Sequence, residues 1–91
     1  MITFDKFIKK YPTIDKFEKD FPVGKKFKWI DRDTWKVVGY IIDEEFKNKD
    51  DFAHLVIIKS WNKYKQRLAY NVVNVFEFYS VWEMLKRESK N

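Results

Sequence analysis

Basic side chains interleaved with aromatic rings are the sequence pattern with the clearest chemical meaning. Lysines alternate with Phe27 and Trp29, and a second group of cations surrounds Trp61 and Tyr64. Ammonium groups can follow a phosphate backbone while exposed rings stack on bases, a combination typical of proteins that bind single-stranded nucleic acid. The nine residues predicted to contact nucleic acid or another partner are Lys26, Lys28, Lys36, Lys59, Trp61, Lys63, Tyr64, Lys65 and Arg67.

The same residues have two other interpretations. Trp61 and Tyr64, surrounded by polar residues, could anchor a protein partner, as aromatic hot spots do in protein–protein interfaces. The acidic segment 43–51 would then contribute as a phosphate mimic or as the contact for a basic partner. Alternatively, the lysines form an ordinary solvated face and the rings complete the core. Because lysine greatly outnumbers arginine, the composition favours phosphate contact over base recognition.

Residues that could support catalysis or metal binding are few. His54 is the only histidine, cysteine is absent, and the sequence has neither a Gly-x-Ser-x-Gly turn nor a glycine-rich phosphate loop. Asp31 and Asp33 could chelate a divalent cation with acidic residues of segment 43–51, but turn carboxylates usually bond to the backbone. We therefore predict a non-enzymatic protein without metal ions or cofactors, in which His54 is partly buried and satisfied by one hydrogen bond.

Antiparallel strands must hold these cations and rings in place. Four segments are rich in β-branched and aromatic residues, and turn-forming residues separate them. The predicted strands are Lys25–Ile30, Thr34–Asp43, Phe52–Trp61 and Gln66 to about Val73, with a polar loop at Glu44–Asp51 and a hairpin tip at Asn62–Lys65. The period of two predicts that Lys26, Lys28 and Lys36 share one face of the sheet.

The second strand has two further features. Alternation predicts one set of side chains on each face: Trp35, Val37, Gly39 and Ile41 on one, and Lys36, Val38, Tyr40 and Ile42 on the other. Since both sets are largely apolar, we expect this strand to be covered on both sides. Gly39 is the natural place for a bulge or sharp bend. Val-Gly at 23–24 followed by curled antiparallel strands resembles an SH3-like small barrel in outline.

Helices are predicted at both ends of the chain. The first twenty-two residues contain two copies of the motif T-Φ-D-K-F-x-K-x-aromatic-P, which begin at Thr3 and Thr13. Each threonine can cap a short helix, and each proline ends one. Asn74 begins a capping-box pattern that is followed by apolar residues at helical spacing, so a longer helix is predicted over residues 75–88.

Together these elements predict one α+β domain over residues 1–91. Two short capping helices occupy 1–22, a strongly bent antiparallel sheet of four to five strands occupies 25–73, and one helix occupies 75–88. The hydrophobic fraction of 45% and the charged fraction of 36% are typical of a folded, water-soluble domain. No apolar segment reaches membrane-spanning length and the N-terminus lacks a signal-peptide core, so we expect a cytoplasmic protein without membrane contact.

The charge of the chain is unevenly distributed. Residues 1–30 and 57–91 each carry +4, whereas residues 31–56 carry −3, for a net charge of +5. This distribution predicts two faces of opposite sign.

The abundance of Lys, Phe, Ile and Asn is typical of AT-rich coding sequences, as in many low-GC bacteria and their phages and plasmids. We therefore predict a small basic module that binds nucleic acid, with a phage or mobile-element inhibitor that occludes a host protein complex as the alternative.

Overall fold

The structure, a computed structural model, describes residues 2–42, 54–62, 64 and 66–89. Within these ranges it contains three helices and four antiparallel strands, so the predicted α+β class is confirmed. In chain order the elements are α1 (Phe4–Lys10), α2 (Ile14–Asp20), β1 (Lys26–Lys28), β2 (Thr34–Ile42), β3 (His54–Asn62), β4 (Arg67–Asn74) and α3 (Val75–Ser89). The loop predicted at 44–51 and the strand ends predicted at Asp43 and Phe52 lie outside the described residues.

The four strands form one sheet in the order β1-β2-β3-β4. Each strand pairs with the next one along the chain, so β1 and β4 are the two edges. The described strands therefore form an open sheet, whereas an SH3-like barrel would require the edge strands to meet.

β1 is shorter than predicted because the chain turns immediately after Lys28. The Trp29 N–H donates to the Asp33 carbonyl oxygen at 3.2 Å, and the Arg32 N–H donates to the Trp29 carbonyl oxygen at 2.8 Å. Arg32 has a left-handed backbone conformation, with φ of 67°. This tight turn joins β1 to β2, where the sequence predicts turn-forming residues.

A bulge in β2 changes which side chains share a face. The register against β3 shifts just before Gly39, which confirms the bulge predicted there. An extra residue in one strand reverses the alternation beyond it. Tyr40 therefore lies on the same face as Trp35, and Ile41 lies on the face of Lys36. The predicted alternation is thus correct before the bulge and wrong after it.

One face of the sheet, which we call the inner face, packs against the helices. The buried hydrophobic side chains form a single cluster with members from all three helices and from β1, β2 and β3. Phe78 of α3 is fully buried in this cluster. Its ring stacks on Trp29 with centroids 5.1 Å apart and meets Phe27 and Phe21 edge-on at 5.2 and 5.3 Å. Aromatic pairs of this geometry add about 0.5–1.5 kcal/mol each beyond the burial of their surface.

The helices begin at the caps that the sequence predicts. The hydroxyl oxygens of Thr3 and Thr13 accept hydrogen bonds from backbone N–H groups three residues later, at 3.3 and 3.4 Å. α3 follows β4 without a loop, and the Asn74 side-chain oxygen accepts the Phe76 N–H at 2.9 Å. In the described part of the chain, no helix has the length and apolar character needed to cross a membrane.

Candidate nucleic-acid interface

The face of the sheet opposite the helices, which we call the outer face, carries a row of three lysines. Lys26 of β1 lies directly opposite Lys36 of β2, and Lys36 lies directly opposite Lys59 of β3. Tyr70 of β4 is the next residue across the sheet. Since neighbouring strands are about 4.8 Å apart, the Cα atoms of the three lysines span about 10 Å. The register thus brings together three lysines that are far apart in the sequence.

This lysine row is not explained by the stability of the sheet. Like charges directly opposite each other on neighbouring strands are destabilising, by amounts of roughly 0.2–1 kcal/mol per pair. Long flexible stems let the ammonium groups move apart in water, which reduces this effect but does not reverse its sign. In the described part of the chain, no carboxylate forms an ion pair with any of the three lysines. The row therefore concentrates positive charge on a surface that an anionic ligand can reach.

Trp61 lies beside the lysine row on the outer face. It follows Lys59 by two residues in β3, so both side chains point the same way, and its side chain is 54% exposed. Two adjoining grooves share Trp61 and Thr34 in their linings, one of about 230 Å³ and one of about 410 Å³. Tyr64, which is 100% exposed, lines the larger groove. Two aromatic rings thus stand next to the lysines and remain open to solvent.

Most of the predicted contact residues fall on these grooves. The smaller groove is lined by Lys26, Lys36, Lys59 and Trp61, and the larger one by Lys28, Trp61 and Tyr64. Arg67 is exposed but is one residue from Leu68 in β4 and pairs with Asn62, so its side chain leaves the strand on the opposite face from Trp61. Lys63 and Lys65 lie outside the described residues.

Sequence reasoning missed an apolar strip on the same face. Leu68, Tyr70 and Val72 of β4 are between 50% and 60% exposed, and Ile41 of β2 is 44% exposed. The expectation that β2 is covered on both sides is therefore wrong at Ile41, because the described helices pack against the inner face. In β4, the two-residue alternation places Leu68, Tyr70 and Val72 on one face and Ala69 and Val73 on the other, but it does not show which face is exposed to solvent. The helices determine which face is exposed, because they cover only one of the two.

Asp31, a candidate metal ligand in the sequence, has a local structural role. Both carboxylate oxygens of Asp31 accept the indole N–H of Trp35, at 3.0 and 3.1 Å, and one also accepts the Asp33 N–H at 3.0 Å. No three His, Cys, Asp or Glu side chains among residues 2–42, 54–62, 64 and 66–89 group as metal ligands. The acidic partners proposed for them in segment 43–51 lie outside those residues. His54 begins β3 and is partly buried.

The outer face thus combines the lysine row, exposed rings and an apolar strip on one surface. Lysine ammonium groups contact phosphate oxygens as point charges, and aromatic rings stack on planar groups. Its chemistry suits an anionic ligand that also presents flat or apolar groups. No protein-family model, curated protein or solved structure matches this chain, so its function is inferred from this geometry.

Proposed function

We propose that the protein binds single-stranded nucleic acid on the outer face of its sheet, without recognising a sequence. One observation carries this proposal: Lys26, Lys36 and Lys59 lie directly opposite one another on three adjacent strands, next to the exposed ring of Trp61. The lysines would neutralise phosphates while Trp61 and Tyr64 stack on bases.

A single strand fits this surface better than a duplex. Protein rings can stack on bases only when those bases are free of their partners, as they are in a single strand. Reading a duplex instead requires a helix or ribbon that enters a groove. For a single strand, the plot of log affinity against log salt concentration has a slope of about −0.7 for each phosphate that the protein neutralises. Contacts from the three row lysines therefore predict a slope of about −2, which becomes about −3 if Lys28 also engages.

The test is titration of labelled DNA and RNA oligonucleotides at several salt concentrations, followed by fluorescence anisotropy. Replacing the three row lysines with glutamine is expected to weaken binding about 30-fold at physiological salt and to reduce the slope by about 2. The matched control replaces Lys6, Lys9 and Lys16, which are exposed on α1 and α2, and so makes the same change in net charge. An equal loss in both triple variants, or an affinity that does not respond to salt, would contradict the proposal.

The apolar strip favours a second function, binding to a protein. Aliphatic side chains such as Leu68 and Val72 do not stack on bases, but they suit the buried centre of a protein–protein interface. A protein partner would place carboxylates against the lysine row. In this alternative the chain is an interaction module or inhibitor, encoded by a phage or mobile element, that occludes a host complex.

Two substitutions separate the alternatives. Leu68→Ser with Val72→Ser should abolish a complex recovered from the native host and leave oligonucleotide affinity within about threefold, because stacking and phosphate contacts remain. The lysine variants should weaken either kind of binding. If the serine variant loses nucleic-acid binding as strongly as the lysine variant does, the strip belongs to the nucleic-acid surface and the second function loses its support.

A further inference from the structure

A second basic groove lies among the helices. It has a volume of about 540 Å³ and is lined by residues of all three helices and of the segment that joins α2 to β1. Sites for small ligands typically occupy about 300–1,000 Å³, so this groove has the size of a small-molecule site. The outer face is not involved, because none of its row lysines lines the groove.

Two lysines in this groove are held in place by neutral groups. The Lys10 ammonium donates to the Tyr79 hydroxyl oxygen at 2.8 Å, and the Lys25 ammonium donates to the Asp20 carbonyl oxygen at 2.8 Å. The Lys25 ammonium also lies 5.0 Å from the centroid of the Phe21 ring. An ammonium has three donors, so each lysine keeps hydrogen-bonding capacity for a ligand. Because the side chains are already positioned, a ligand orders them at a smaller loss of entropy.

The remaining charges leave the groove positive. Besides these two lysines it contains Lys86 and Arg87, against the carboxylates of Asp20 and Glu83, which gives a net charge of +2. Both carboxylates are already bonded: Asp20 accepts the Tyr11 hydroxyl at 2.6 Å, and Glu83 pairs with Arg87 at 2.6 Å. The hydrogen bond from Lys10 to Tyr79 raises the pKa of Lys10, so this lysine stays charged at physiological pH.

We infer that this groove is a binding site for a phosphate group, with Lys10 and Lys25 as its main contacts. The two ammonium groups come from separate elements, α1 and the chain before β1, so they can approach different oxygens of one anion. A phosphate has several acceptor oxygens and a charge of about −1.5 to −2, which two or more cations balance better than one. The inference does not depend on nucleic-acid binding at the outer face.

Two sources could supply the phosphate. One is a small phosphorylated molecule that enters the groove on its own. The other is a nucleic-acid strand that crosses the β1 edge, because Lys25 lines this groove while the next residue, Lys26, belongs to the row on the outer face. Both sources present the same oxyanion to the same two lysines.

The experiment is an NMR titration of the full chain with inorganic pyrophosphate, followed at the signals of Tyr79 and the Trp82 indole, which line the groove. We expect saturable shifts, and at least a tenfold loss of affinity on Lys10→Gln with Lys25→Gln, because the variant removes two charge-assisted hydrogen bonds to the anion. The control, Lys9→Gln with Lys19→Gln, makes the same charge change at exposed positions and should alter affinity less than about threefold. Shifts that do not saturate, or equal losses in both double variants, overturn the inference.

A neutral substitution tests the positioning of Lys10. Tyr79→Phe removes the hydroxyl that holds the Lys10 ammonium and leaves the charge of the groove unchanged. We expect affinity for pyrophosphate to fall by about three- to tenfold, with the fold verified by circular dichroism. An unchanged affinity in the folded variant would show that the anion is only attracted by net charge and would overturn the site.

Oligonucleotide affinity of the Lys10→Gln and Lys25→Gln variant distinguishes the two sources. If that affinity falls together with pyrophosphate binding, the phosphate comes from a strand that crosses the β1 edge. If it stays unchanged, the ligand is a separate phosphorylated molecule. Both results retain the phosphate site, and failure of the outer-face variants to affect oligonucleotides would count against the proposed function alone.

Discussion

The inner and outer faces of the sheet are built from alternate residues of the same strands, yet they differ in what surrounds each side chain. Two tryptophans on neighbouring strands show the difference. Trp35 on the inner face is 7% exposed and donates its indole N–H to Asp31, whereas Trp61 on the outer face is 54% exposed. Residue type does not decide the role of a tryptophan here. The helices that cover one face and not the other decide it.

The inner face and the lysine row of the outer face affect stability with opposite sign. The inner face buries aromatic rings, and each fully buried large apolar side chain stabilises the fold by about 1.5–3 kcal/mol. The outer face places three lysines opposite one another, which destabilises the sheet. Surfaces that reduce stability in this way are typical of sites selected for binding. Four predictions test this contrast, in order of decreasing effect.

Phe78→Ala is expected to destabilise the protein most, by about 3–5 kcal/mol, because it leaves a cavity among four aromatic rings. That loss is comparable with the whole stability of many small domains, so little folded protein should remain at room temperature. Urea denaturation followed by circular dichroism measures it. Tyr64→Ala on the outer side serves as the control and should change stability by less than about 0.5 kcal/mol. Similar values for both variants would remove the distinction between the faces.

Trp61→Ala should separate binding from stability. We expect oligonucleotide affinity to fall by about tenfold, since stacking of one base on a ring contributes about 1–3 kcal/mol. The free energy of unfolding should change by less than about 1 kcal/mol because the ring is more than half exposed. Anisotropy and urea denaturation on the same preparation give both quantities. A large loss of stability without a loss of affinity would assign Trp61 to the core.

Stability should also fall at high pH because of two tyrosines on the inner side. Burial raises the pKa of Tyr11, with a further contribution from its hydrogen bond to Asp20, and burial raises the pKa of Tyr40. The unfolded chain then releases these protons first, near pH 10.0. Their contribution is complete below that pH and is lost as pH rises towards the folded-state pKa values, by up to about 1.4 kcal/mol per pH unit for each tyrosine.

Denaturation at a series of pH values above 10 measures this slope. Tyr11→Phe and Tyr40→Phe should each make it shallower, although each also removes a hydrogen bond of 2.6 Å and lowers the stability at neutral pH. A slope that is the same in the wild type and in both variants would show that neither hydroxyl is held by the fold.

Lys36→Glu should have a small effect on stability, and it should raise stability where the preceding substitutions lower it. Lys36 is the centre of the row and lies opposite a lysine on either side, so a carboxylate there replaces two repulsions with two attractions. Water screens these partly exposed charges, so each of the four contributions lies near the low end of the roughly 0.2–1 kcal/mol range of cross-strand pairs. We therefore expect a total gain of roughly 1 kcal/mol in the free energy of unfolding and a loss of oligonucleotide affinity. Lys36→Gln should give about half of each change. A loss of stability in the glutamate variant would mean that the row supports the sheet.

Local signals in the sequence were sufficient for the helices and for the position of the bulge. Thr3, Thr13 and Asn74 cap helices through bonds to N–H groups two or three residues away, so short motifs determine where those helices begin. Glycine inside a strand pattern often indicates a bulge, and Gly39 lies directly after Val38, the residue that the pairing with β3 skips. The bulge also reverses which residues of β2 face the helices beyond Gly39. The prediction missed this reversal because it continued the two-residue alternation through the bulge.

Features that depend on distant residues could not be predicted in the same way. Lys26 and Lys36 belong to one hairpin, so the alternation of side chains along its two strands was enough to place them on the same face. Lys59 joins their row only through the register of β3 against β2, which the sequence does not give. The second groove depends on the contact between Lys10 and Tyr79, which are 69 positions apart. Such contacts follow from how α1 and α3 dock, which no local pattern encodes.

β1 has a consequence for how copies of this protein meet one another. It is an edge strand of only three residues, and two of them are lysines. Short, positively charged edges resist the addition of a foreign strand, which is the first step of edge-to-edge aggregation. A second copy that docked along this edge would bring its own lysines against them, and this repulsion weakens as salt screens it. The cations proposed to attract a ligand therefore also keep concentrated molecules apart.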